Sequence, residues 1–591
     1  MSNITFTARS SLAQNVGAHV NVIVDGQKIG SVTVGSTTAT YSFTAPNLAA
    51  NTAHDIQLVY DNDTVKNGQD RNLYLQSISV DGKSYAATSS YETYHAQAGG
   101  QGDIASSGNM YWAGTAEFKL PASLFPSSPQ NPTSPPPPPP PPPPAAAGFY
   151  VSPNGSDSNS GSAGSPFKTL AKALSSMQGS STHTTYLQSG TYNMSSTLNL
   201  GTSANGMTFE AASGATPILD GGGSLSTLIQ LNGATGVTLQ GLTFQNTSTS
   251  TDGAAVTLRG AGGNHITGNL FSHTGEGLLL TQGSNNNIVS GNELDNSATS
   301  AVEVKNQSNG NTFDSNLVNG TGAIGTQGGG FFLHGANNNT ISHNLVKNTA
   351  GIGIGIENWD SNTINVGNSI TNNIIQNSNT SPQSTDSGAI YELGRSQVDT
   401  KSIISGNYIS GPNQAAAGAG AHIVGIYLDD YTDGVQVTNN IVANTVTNAM
   451  QIHGGSNVTV QNNIFDLGAT GKSAILFQST SASSVGTPLP MTNNVVKQNI
   501  IASSSSNPTA FDNFSGGSPT ISNNFYMDLI NSNFKTNGLA QSGAQYGNAQ
   551  FANEAGGNYA LGSNSGAWAV GFQQINQSSM GLHATTAHWY A

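Results

Sequence analysis

Two all-β bodies are predicted: a β-sandwich over residues 1–125 and a right-handed parallel β-helix over residues 148–591, separated by a proline-rich segment at 126–147. Three observations predict them. Before residue 125, short runs rich in Val, Ile and Tyr alternate with Gly, Asn and Asp turns. Ten consecutive prolines, Pro135 to Pro144, then interrupt the chain. After Gly148 an Asn-x-hydrophobic element recurs at a nearly regular spacing.

Composition narrows what such a chain does. Charged residues make up 8% of the 591, and the 30 acids against 16 bases leave a net charge of −14. This balance disfavours nucleic acid and anionic membrane surfaces as partners. No apolar run approaches the ~18 residues of a membrane span, and "MSNITFTARSS" lacks the basic and apolar regions of a cleavable secretion signal. The absence of cysteine removes disulfides and thiolate zinc sites. An extracellular, bacterial, monomeric protein exported without a recognisable signal is the expectation.

The sandwich is read from "HVNVIVDG", "SVTVG", "ATYSFTA", "HDIQLVY", "LYLQSISVDG" and "TAEFKL", each alternating every second residue. Between the fourth and fifth runs, Asp61, Asp63 and Asp70 bracket a loop that also holds Asn62, Asn67 and Gly68. Hard oxygen ligands crowded on one loop suit calcium, although an Asp/Asn loop that binds nothing has the same look. The elements "ND", "DRNLYL" and "ISVDG" resemble the calcium-dependent xylan-binding carbohydrate modules. That resemblance implies that calcium coordinates sugar hydroxyls directly, with Asp63 and Asp70 as ligands, Asp61 as an additional acid, and Asn62, Arg71 and Asn72 shaping the loop. Tyr111 and Trp112 are candidates to stack on sugar or to fill the core.

The prolines predict a semi-rigid polyproline spacer of about 30 Å, at ~3.1 Å per residue. Beyond it, "SPFKTLAKALSSM" reads as a short amphipathic helix from about Pro166 that closes the open end of a solenoid. The solenoid itself rests on Asn269, Asn292, Asn316, Asn344, Asn373, Asn407, Asn440, Asn463 and Asn499. Successive spacings of 23, 24, 28 and 29 residues suit a coil of three short strands. Asparagines stacked at one turn then satisfy one another rung by rung. The result is a pectin-lyase-like parallel β-helix.

A second repeated strand gives the site. Aligning "AVTLR", "GLLLT", "AVEVK", "GFFLH", "GIGIE", "GAIYE", "GIYLD", "AMQIH" and "AILFQ" on their first residues puts aliphatic side chains inward at the second and fourth places. The fifth, outward place then reads Arg259, Thr281, Lys305, His334, Glu357, Glu392, Asp429, His453 and Gln478. With coils ~4.8 Å apart, that is a stripe of ionisable groups, flanked by Asp386, Asp430 and Arg395. Stacked acids raise one carboxyl and leave another ionised, which provides a general acid beside a nucleophile or base. The asparagine spacing widens to 34 and 33 residues across these coils, so the inserts "NTSPQSTDS" and "GPNQAAAGAGAH" are expected to wall a groove. Trp359 and Tyr427 join Glu357, His334, Arg395 and His453 as substrate-contact candidates. Asp360 and Asp433 read as turn formers.

"TDSGAIYELGR" followed by "GIYLDD" resembles β-helix glycoside hydrolases of the β-xylosidase and α-fucosidase/xylanase kind. The resemblance implies hydrolysis by acids on neighbouring coils, with Asp386, Asp429 and Asp430 as leading candidates, Glu392 in contention, and no cofactor for the reaction. "YELGR" departs from that pattern. A polysaccharide lyase or uronan epimerase is the second reading and needs basic or tyrosyl groups; only ten Lys and Arg follow residue 150. A non-catalytic surface carbohydrate binder is the third. The partner expected in each case is a polysaccharide, for the first a plant-wall one.

Overall fold

The computed structural model describes residues 2–125 and 148–583 except 15, 46–47, 49–51, 67–68, 81–82, 88–90, 97–103, 106–107, 250–252, 324–327, 413–420, 481–489, 516 and 529–533. The proline spacer, Asn67, Gly68 and most of the "GPNQAAAGAGAH" insert therefore lie outside the described residues. Two compact units divide near Pro141.

In the N-terminal unit two antiparallel sheets face each other. One holds Ser2–Ser10 between Ala39–Ala45 and Leu73–Val80; the other holds His54–Tyr60 between His19–Val24 and Gly114–Leu120. Side chains alternate across each strand, so Ile4 and Phe6 from one sheet bury against a core that includes Val20, Val22, Ile56, Leu58 and Phe118 from the other.

The second unit is the expected parallel β-helix. The coils stack into three parallel sheets of 15, 14 and 12 strands, which the chain visits in the order first, second, third. Helix Leu170–Gln178 caps the first coil with Leu170, Ala173 and Met177 buried. It starts later than Pro166 because Asp157 accepts the Lys168 and Thr169 amides, leaving Thr169 as N-cap to accept the Lys172 amide.

The asparagines form one turn between the first and second sheets. Each amide nitrogen donates down to a carbonyl and across to the next asparagine oxygen, as in Asn344 to Phe313 O (3.0 Å) and to Asn373 Oδ1 (2.9 Å). A second ladder runs at the turn from the third sheet to the first: Asn264, Asn287, Asn311, Asn339 and Asn368. These buried amides fix the coil register without any charged group.

After the last coils the chain doubles back. Residues from Ala549 to Met580 cover the outer face of the second sheet, where Ile441, Ile464, Ile500 and Phe525 form an apolar layer with Tyr559, Val570 and Phe572. Among the described residues no helix is long and apolar enough to cross a membrane.

Candidate functional site

The third sheet carries the ionisable stripe, and its register corrects one position of the alignment. Ile390, Tyr391 and Leu393 pair with Ile426, Tyr427 and Asp429, so Leu393 and not Glu392 occupies the outward column between Glu357 and Asp429. Aligning the strands on Gly388 and Gly425 was one residue out, and with period two a one-residue slip turns a side chain to the other face. Glu392 is fully buried inside the solenoid. Its Oε1 accepts from Ser402 Oγ at 2.8 Å, its Oε2 has no partner, and burial pushes its carboxyl up to about 7 against the Ser402 and Thr400 hydrogen bonds. Glu392 is thus an interior acid and lies off the outward face of the third sheet.

The remaining candidates converge. Strand His422–Asp429 ends in Asp429, whose carboxylate accepts from His453 Nδ1 (2.6 Å), Tyr391 Oη (2.8 Å) and the Asp430 amide (2.8 Å). Burial opposes its charge, but His453 and the other donors outweigh it and hold this carboxyl below the usual range. The next two residues are left-handed, Asp430 at φ +33° and Tyr431 at φ +66°, a strained turn that aims Asp430 back over the same face. Asp430 accepts from Arg395 Nε (2.6 Å) and Thr480 Oγ1 (2.8 Å). Gly394 permits this turn, since a Cβ there would meet Thr432 Cα at 2.4 Å.

Asp386 opens strand Asp386–Gly394, in register with His422 on the next coil. Its side chain is exposed, yet desolvation by the surrounding chain and the neighbouring Asp429 charge raise its pKa, against His422, His453 and Tyr427. Tyr427 and Tyr391 stack edge-on at 5.4 Å; burial, then Asp429, holds both hydroxyls protonated far above the ordinary phenol range. His453 is the counter-case: burial disfavours its charge, but the Asp429 hydrogen bond and the acids around it raise its pKa.

Two coils earlier, buried Glu357 accepts from Trp359 Nε1 at 2.6 Å and lies 3.6 Å from His334 Nδ1. Trp359 is 41% exposed, and the Arg395 guanidinium sits 4.7 Å over its ring. Arg395 therefore ties the Trp359 platform to Asp430. The ligand-capable atoms of Asp429, Asp430 and His453 also lie within 4.8 Å of one another. Tyr391, His422, Gln451 and Thr480 were not anticipated. His422 Nε2 contacts Gln451 Oε1, and Tyr391 could have been found from the "IY" dipeptide that both strands share.

In the sandwich the loop is held from below by Arg71, which donates to the Val16, Asn62 and Ala13 carbonyls. Asp61 is committed to His19 Nδ1 (2.8 Å) and Asn21 Nδ2 (2.6 Å). Asp70 accepts from Asn72 Nδ2 (3.1 Å), and the Asn72 Oδ1 beside it is buried with no hydrogen-bond partner among the described residues. Asp63 meets Tyr60 Oη at 3.3 Å. An orphaned amide oxygen next to Asp70 fits a hard cation, so Asp63, Asp70 and Asn72 are the residues that would hold calcium, and Asp61 is the least available. Tyr111 is 45% exposed, whereas Trp112 packs against the core.

Residues 3–95 match CBM60, the calcium-dependent xylan-binding carbohydrate-binding module, and residues 181–414 match NosD, described as a periplasmic copper-binding protein. No curated protein matches the chain. Among solved structures, vCBM60 in complex with galactobiose is 19% identical over 20% of this chain and 97% of its own, with a TM-score of 0.17. The catalytic domain of a GH87 α-1,3-glucanase in complex with tetrasaccharides is 13% identical over 91% of this chain and 88% of its own, TM-score 0.32. The A-module of the Azotobacter vinelandii mannuronan C-5 epimerase AlgE6 is 13% identical over 64% of this chain and 94% of its own, TM-score 0.34. The chain carries a carbohydrate-binding module of the calcium-dependent, xylan-binding kind, followed by a right-handed parallel β-helix.

Proposed function

We propose that the protein is an extracellular glycoside hydrolase for xylan or a related plant-wall glycan, brought to its substrate by the calcium-dependent module. One observation carries the catalytic assignment: Asp386 and Asp429, from adjacent coils, have carboxyls pushed in opposite directions. Carboxyls whose environments separate their pKa values supply a proton donor and an ionised partner in one site. Asp386 is the acid that protonates the departing glycosidic oxygen. Asp429, kept ionised by His453 and Tyr391, is the carboxylate that stabilises the developing positive charge at the sugar carbon and either attacks it or activates water. Asp430, Arg395 and Trp359 orient the sugar chain beside it.

The test is product analysis on xylan, arabinoxylan, pectin and alginate, with calcium and after EDTA treatment. New reducing ends without unsaturation, lost in Asp386→Asn and in Asp429→Asn while melting is unchanged, support hydrolysis. Full activity in both variants would remove this face as the site.

The tyrosines and histidines of the face favour a second reading, a polysaccharide lyase or epimerase, which needs such groups as proton acceptors. Tyr391 and Tyr427 are held protonated, however, and His453 is paired with Asp429, so these groups donate here. Unsaturated products would reverse the ranking.

A further inference from the structure

Away from the third-sheet face, at the turn between the first and second sheets, Asp314, His343 and His583 come together from three distant parts of the chain. Asp314 and His343 sit on adjacent coils, since Asp314 pairs with Ser342. His583 arrives on the C-terminal segment, which travels back along the solenoid: Gln573 bonds Asn462 (2.6 Å), the Gly581 amide donates to Asn372 O (2.8 Å), and the His583 amide reaches Ser315 Oγ. His343 Nδ1 lies 2.9 Å from Asp314 Oδ1, His583 Nε2 lies 3.6 Å from Oδ2, and the two imidazole rings are 4.1 Å apart. All three ligand atoms fall within 4.8 Å of one another.

We propose that these residues form a divalent transition-metal site that clasps the C-terminal segment onto the solenoid. Two imidazoles and one carboxylate are a donor set for zinc and its first-row neighbours, with a fourth position left to water; calcium and magnesium prefer all-oxygen sites. An orienting outer layer is already in place. Ser342 Oγ (2.6 Å) and Ser315 Oγ (3.0 Å) donate to the Asp314 carboxylate and fix its orientation. The position is also mechanically apt. The segment covers the apolar outer face of the second sheet up to Met580, so a bond at His583 pins that cover to the solenoid just beyond it.

The test uses untagged full-length protein stripped with EDTA and titrated with zinc chloride by calorimetry, alongside His583→Ala and His453→Gln. His583 is half exposed, so its truncation leaves the fold intact. The expected result is one zinc equivalent that is lost in His583→Ala and kept in His453→Gln, with slower proteolysis of the segment after Gly571 when zinc is present. Equal zinc stoichiometry and affinity in wild type and His583→Ala, or zinc protection that persists in that variant, would overturn the proposal.

Discussion

Replacing Glu392 by Gln separates its interior role from a catalytic one. The wild-type carboxyl is fully buried, bonded only at Oε1, and pushed by burial from an ordinary 4.5 up to about 7. A group raised in the folded state contributes its full stability below the unfolded value, and that contribution is lost as pH rises through the folded one. The difference between 4.5 and about 7 corresponds to about 3 kcal/mol. Gln cannot ionise, so its offset from wild type should grow in favour of Gln by about 3 kcal/mol between about pH 4 and pH 9. Any fixed cost of placing an amide NH2 where Oε2 has no partner is the same at both ends and cancels. Urea unfolding of both proteins across that range measures the difference, and all other groups titrate alike in the two. Turnover should survive. Parallel stability curves, or a variant that folds but no longer turns over, would refute the interior assignment.

Asn373→Ala should cost roughly 3–6 kcal/mol in the same assay, because it removes bonds to Ile341 O, Asn407, and the Asn344 amide and side chain, all buried. In the sandwich, Asp70→Ala and Asn72→Ala should abolish the response of xylan binding to calcium, measured by calorimetry with and without EDTA, while Asp61→Ala should leave most of it. His453→Gln removes a positive charge that lowers both Asp429 and Asp386, so both limbs of the pH–rate profile should move to higher pH. An acid limb that stays put would separate His453 from the reaction.

Much of this molecule was legible because its repeat is enforced by chemistry that recurs visibly. The asparagines of the first ladder are obligatory, since each satisfies a buried turn that nothing else reaches, and their spacing gave the coil length. The second ladder was also visible, five residues before the first in five successive coils (264 and 269 through 368 and 373), but one repeated element was enough to define the solenoid and the other went unread. The Glu392 register failed for a physical reason. Glycine has no side chain to mark a face, so Gly388 was a poor anchor, whereas the shared Ile-Tyr dipeptide marks both an inward and an outward place. The second ladder even shows where Glu392 goes: its slot after Asn368 is filled by Ser402, the residue that donates to the buried carboxyl. The returning C-terminal segment left no periodic signal, because it packs as irregular chain against the outer face of the second sheet.

The corrected register also changes why the face is chemically useful. Three acids stacked on successive coils would have to share protons among themselves. Leu393 breaks that stack, and the acids on either side each gain a cationic or imidazole partner: Glu303 with Lys305, Glu357 with His334, Asp429 with His453, and Asp430 with Arg395. Asp386 stands apart, with no ion pair within 4 Å among the described residues and the Asp429 charge facing it. Burial and the facing Asp429 charge outweigh the lowering by His422, His453 and Tyr427, so Asp386 is raised while Asp429 is lowered. A site that must deliver a proton beside a carboxylate that stays ionised needs that asymmetry, and here it arises from which coil each cation happens to occupy. Moving one cation should therefore move the proton: replacing His422, in register with Asp386 on the next coil, by a permanently charged lysine should lower the Asp386 pKa and pull the alkaline limb of the rate profile to lower pH, with the acid limb shifted less. If the alkaline limb were unmoved in that variant while turnover remained, Asp386 would not be the proton donor.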